Sequence, residues 1–127
     1  MNHLILVMLG GGIGAGLRHL VGHAALRLFG PGFPVGTLTV NVAGSLVMGL
    51  LIGWLARHDV PHAQNLRLFL ATGVLGGFTT FSAFSLDTAV LWQRGDMTLA
   101  LIYIVVSVVL SILAVFAGLF IMRAVAA

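Results

Sequence analysis

Four long apolar runs, parted by short polar loops, fill this chain almost from end to end, over residues 4–28, 36–56, 66–92 and 97–125. A helix needs about 20 mainly apolar residues to cross the hydrocarbon core of a bilayer, and every run is long enough. The connections FGPGFP, RHDVPHAQN and QRGD carry the Pro, Gly and Asp of turns. Only 7% of the residues are charged and the mean hydropathy is +1.15. A soluble domain has about 25% charged residues, so this chain could not cover a water-facing surface. The reading is an all-α membrane protein, one four-helix unit over 1–127, with the lipid bilayer as its solvent.

What charge there is excludes several classes. Six basic and three acidic residues give +3, all six bases are arginine, and they stand singly. That is no nucleic-acid patch. The absence of cysteine removes disulfide scaffolds and thiolate metal sites. MNHLILVML has no positive n-region and no small-residue cleavage site after it, which reads as the start of a retained span. Four spans place Arg57, Arg67 and Arg123 on one face and Arg27 and Arg94 on the other. Orientation follows the Lys/Arg bias near span ends, and three against two is almost none. Either another factor orients the chain, or copies insert both ways up.

Polar residues inside the spans form patterns. Thr37, Asn41 and Ser45 repeat every four residues on the second span, and Gly49 and Gly53 continue that face. Tyr103, Ser107 and Ser111 repeat likewise on the fourth. Each stripe alone reads as interhelical hydrogen bonding; two in so short a chain point to a solute path. In GGGIGAG, Gly10, Gly12 and Ala15 mimic a dinucleotide fingerprint, but no βαβ unit follows and the next acid is Asp59. Gly10/Gly14 and Gly12/Gly16 are instead pairs that let helices approach closely. Arg18 lies within the first span, either functional or snorkelling. His19/His23 and His58/His62 have the spacing of metal ligands, without a Cys or Glu to support one. No carboxylate pair, Ser-His-Asp set or H-E-x-x-H is present, so enzyme chemistry finds no support.

The third span carries GVLGGFTTFSAFS, residues 73–85, where glycines and hydroxyls interrupt the apolar run. Gly76-Gly77 before Phe78-Thr79-Thr80 marks a break near the middle of the span. Unwound backbone at that depth survives only where protein or water buries it. Freed carbonyls there can hold a cation, and helix N-terminal N–H groups favour anions. Phe81 and Phe84 can share a face with their positive ring edges toward an anion. Ser82, Ser85, Asn41 and Tyr103 supply neutral donors, a lining suited to a small, strongly hydrated anion.

GGGIGAGLRH around Arg18, GTLTVNVAGSLVMG over 36–49 and GGFTTFSAFS over 76–85, with Tyr103 and Ser107 on the last span, resemble the Fluc (CrcB-type) fluoride channel family over the whole length. The resemblance implies an antiparallel, dual-topology homodimer of the bacterial inner membrane. It would export F⁻ passively through two pathways and so limit cytoplasmic fluoride toxicity. It implies that Phe81, Phe84 and Asn41 line each pathway and that Tyr103 and Ser107 form its polar track; Thr37, Ser82 and Ser111 join them as candidates. It places a structural Na⁺ at the dimer interface, held by backbone carbonyls of Gly76 and Thr79, and Arg18 near a vestibule. Ala83 stands where many members have threonine, and His19 where an aromatic often follows the arginine. The alternatives are a small multidrug-type proton-coupled exporter, which needs a carboxylate that the first span lacks, and a non-conducting assembly subunit.

Overall fold

The computed structural model describes residues 2–126. Helix α1, His3–Phe29, starts where the Asn2 side chain accepts from the Leu4 N–H at 2.8 Å. It ends at Gly30, whose φ of 74° lies in the region that only glycine adopts freely. Helix α2, Val35–Arg57, follows Pro34. The third crossing is composite: α3 (Ala63–Arg67), a π-helical stretch (Leu68–Leu75), α4 (Gly76–Phe78), two extended residues, and α5 (Phe81–Gln93). The fourth is the continuous α6, Met97–Ala126. Four crossings long and apolar enough to span a bilayer result, with the third broken close to its middle.

Glycine sets how these helices meet. A Cβ on Gly10 would lie 2.9 Å from Gly73 Cα, and one on Gly14 would lie 2.8 Å from the Phe78 nitrogen. Both glycines therefore press α1 against the π-helical stretch and α4. Gly12 and Gly16, the other predicted pair, have nothing within 4 Å and face outward. On the opposite side α2 packs along α6, where a Cβ on Gly49 would sit 3.1 Å from Gly118 Cα and one on Gly53 would sit 2.8 Å from Met122 Cβ. The continuation of the second-span stripe into Gly49 and Gly53 is thus a helix–helix seam. Among the described residues, Phe84, Leu91, Ala100 and Tyr103 form a cluster of buried apolar side chains, with Phe33, Leu38 and Ile104 around it. Large apolar residues elsewhere face outward on α1 and α6, the arrangement expected where the solvent is lipid.

The break falls within the expected Gly76–Thr80 segment, at its threonine end. Gly76 is helical (φ −63°, ψ −37°), whereas Thr79 (φ −86°, ψ 157°) and Thr80 (φ −153°, ψ 127°) are extended. Gly77 serves contact instead, since a Cβ there would come within 3.0 Å of Gly11 Cα. β-Branched threonine favours extended backbone, and both hydroxyls satisfy the loose ends. Thr79 Oγ1 donates to Leu75 O at 2.9 Å, and Thr80 Oγ1 accepts from the Ala83 N–H at 3.1 Å, capping α5.

Candidate functional site

The break is held open from outside. Asn41 Oδ1 accepts from the Thr80 N–H at 2.7 Å, and Asn41 Nδ2 donates to Thr80 O at 2.9 Å. One amide on α2 thus satisfies both backbone groups of the extended residue. In a continuing helix the Thr80 N–H would go to the Gly76 carbonyl, which this pairing leaves without its helical donor. Arg18 serves the next carbonyl: its Nε donates to Gly77 O at 3.1 Å. The guanidinium therefore does not snorkel away but turns inward onto the broken helix.

Beside the break runs a groove of about 310 Å³. Asn41 and Ser45 line it from α2, Thr79 and Thr80 from the break, Phe81 and Phe84 from α5, and Ser107 and Ser111 from α6. Both polar stripes and the broken segment converge here, because α2 packs on α6 and Asn41 ties α2 to Thr80. No charged side chain is among the lining residues. The Phe81 and Phe84 ring centroids are 5.5 Å apart with planes at 54°, a tilted pair. Phe84 is buried and Phe81 is 77% exposed, leaving the groove open on that side. Ser107 Oγ and Ser111 Oγ are buried with no hydrogen-bond partner among the described residues. Buried hydroxyls are nearly always paired, so two orphans on one groove wall mark where a polar guest would be met. Chemically, the groove offers hydroxyl donors, the second Asn41 N–H and two aromatic rings, with no full charge to hold an ion fast.

Other expected site residues stand apart from the groove. Tyr103 is fully buried behind Phe84, at a centroid distance of 5.1 Å, and meets Phe33 edge-on at 5.5 Å. Its hydroxyl donates to Asp87 Oδ2 at 3.1 Å, so the carboxylate of α5 pairs with a phenol and with no arginine. Thr37 lines two cavities at the other end of α2, one of about 510 Å³ with Arg18 and one of about 340 Å³ with Asp87. Ser82 is exposed, its hydroxyl 3.2 Å from that of Thr80, and lies off the groove. Thr80 itself lines both the groove and the 510 Å³ cavity, so the break separates two hollows. The Tyr103–Asp87 pair had a readable signal: a lone acid inside a span requires a partner, and the chain has a single tyrosine. The π-helical stretch had none.

A family model described as CrcB-like protein, Camphor Resistance (CrcB), matches residues 5–119. A fluoride-specific ion channel FluC of Chelativorans sp. (strain BNC1) is 59% identical over 125 residues, covering 98% of this chain and 99% of the relative. FluC proteins of Mesorhizobium japonicum and Caulobacter vibrioides are 54% and 50% identical, each over 123 residues and 97% of this chain. With the family model and relatives of such identity spanning nearly its full length, the chain belongs to the CrcB-like family.

Proposed function

We propose that this chain is a subunit of a passive, fluoride-selective channel of the bacterial inner membrane, exporting F⁻ and not acting as an enzyme. The observation that carries the reading is the neutral groove, lined by the orphaned Ser107 and Ser111 hydroxyls and by the Phe81/Phe84 pair. Fluoride is small and strongly hydrated, so it needs donors that replace part of its water without trapping it. Hydroxyls, one amide and ring edges meet that need; a guanidinium in the groove would not. FluC is also the name carried by relatives that this chain matches along nearly its whole length. Helix α1 holds no acidic residue and Asp87 is bonded to Tyr103, so nothing favours a proton-coupled exporter.

A single chain leaves Phe81 and its side of the groove open. A second copy would close it, and the weak arginine bias favours an antiparallel partner, giving two pathways by symmetry. A structural Na⁺ at that interface fits the donor set: Gly76 has lost its helical donor and Thr79 is extended, so both carbonyls are available for a hard cation. Its chemistry would be to neutralise converging carbonyl dipoles where two broken helices meet.

The reading is tested by loading purified protein into liposomes and following fluoride and chloride efflux. Fluoride flux far above chloride is expected, and Phe81→Ile should lower it by roughly tenfold or more through loss of the ring edge. Absence of fluoride flux, or equal chloride flux, would sink it.

A further inference from the structure

The 510 Å³ cavity beyond the break is lined by Arg18, His19 and His23 from α1, Thr37 from α2, and Thr80 and Ala83 from the broken crossing. His19 and His23 are four residues apart and share a helix face. The single histidine ring bond among the described residues belongs to His58, at 2.8 Å from Trp54 O. No carboxylate lines the cavity from any of the elements that enclose it. Asp87 belongs with Arg94 to the adjoining 340 Å³ cavity, which shares Gly22, Leu26, Gly36 and Thr37 as a common wall. Asp87 is engaged by the Tyr103 hydroxyl, and Arg94 by Asp96 at 3.1 Å and by Gly32 O. The cavity's own charge is therefore set by one fixed guanidinium and two imidazoles.

Histidine is the side chain that ordinarily changes charge between about pH 5 and 8. A cleft of one sign, walled by low dielectric, raises the local concentration and entry rate of ions of the other sign by roughly 10- to 1000-fold. Protonating both rings would add two positive charges to that of Arg18, directly beside Thr80, which also lines the groove. We propose that His19 and His23 make this cavity a pH-dependent small-anion site that feeds the break faster as the solution becomes more acidic. The proposal rests on the channel reading for the identity of the anion and adds to it a regulation. Ala83 brings no hydroxyl to the cavity, whose hydroxyls are those of Thr37 and Thr80.

The experiment uses the full chain in liposomes, with fluoride efflux measured from about pH 8 down to about pH 5.5 and the leak of protein-free vesicles subtracted. The rate is expected to rise at least about threefold toward acid. The His19→Gln/His23→Gln variant should lose most of that slope, and His58→Gln/His62→Gln should keep it. A flat wild-type profile, or an unchanged slope in the His19/His23 variant, overturns the proposal. A second measurement does not depend on conduction: in detergent-solubilised protein, added fluoride should move the His19 and His23 ring resonances near pH 6 but not near pH 8. Shifted resonances without efflux would count against the channel reading while supporting the anion site. Efflux without any fluoride-dependent shift would overturn the site and leave the channel reading standing.

Discussion

Asn41 commits one lone pair and one N–H to Thr80 and keeps one N–H for the groove. Its substitutions should therefore separate two roles. Asn41→Ala strands both Thr80 backbone groups, and each unsatisfied group costs about 1–3 kcal/mol; since the pair is only part-buried, a loss of about 2 kcal/mol is expected in thermal or denaturant unfolding of the detergent-solubilised protein. Asn41→Asp can still accept from the Thr80 N–H but cannot donate to its carbonyl, and it sets a negative charge beside an anion path. Fluoride efflux should fall more than about tenfold, while the protein unfolds closer to wild type than Asn41→Ala does. Ser107 and Ser111 predict the opposite pattern. Burying an unpaired hydroxyl costs free energy, so Ser107→Ala should leave stability unchanged or raise it by up to about 1 kcal/mol. If the hydroxyls meet the permeating ion, flux should nevertheless drop severalfold. A variant that unfolds early with normal flux would place Ser107 among packing residues instead.

Among the elements, the third crossing is where sequence reasoning and structure part most instructively. Its existence and its interruption were legible, because three glycines and four hydroxyls crowded into one apolar run weaken a continuous helix there. Which residues of Gly76–Thr80 unwind was not, since glycine permits both a break and a close contact and only the neighbouring helix decides which. Here α1 brings Gly10 and Gly11 against Gly73 and Gly77, and Gly14 against Val74 and Phe78, so the glycines go to contact and the threonines to the break. The same ambiguity explains why Gly12/Gly16 looked equal to Gly10/Gly14. It also explains why Tyr103, on one stripe with Ser107 and Ser111, turned into the core while they faced the groove. Helix periodicity gives a face only to within a residue width, and the crossing of α6 with α5 settles the rest. A paired substitution tests the assignment. Gly14→Ala should destabilise by more than about 1 kcal/mol, because its Cβ meets backbone, which cannot rotate aside. Gly16→Ala, with open space around it, should be tolerated. Equal tolerance of both, measured by thermal unfolding and by the monodisperse fraction on size exclusion, would contradict the α1 packing.

For the whole molecule, four crossings with arginines divided three to two leave the orientation nearly undecided. Insertion is steered by Lys and Arg close to the span ends, so a few charges should decide it. Asp59→Arg with Gln64→Arg enriches the side that carries Arg57 and Arg67; Asp96→Arg with Gln93→Arg enriches the other. The second pair breaks only an exposed Arg94–Asp96 contact, and such pairs contribute about 0–1 kcal/mol, so folding should survive. Each biased chain alone should insert in one direction, as read by cysteine-labelling of an introduced terminal cysteine in intact cells. If the working assembly is antiparallel, each alone should give little fluoride efflux, and co-expression of the two should restore it. Full activity from either biased chain by itself would mean that parallel copies conduct, and the open face at Phe81 would then need another partner to close it.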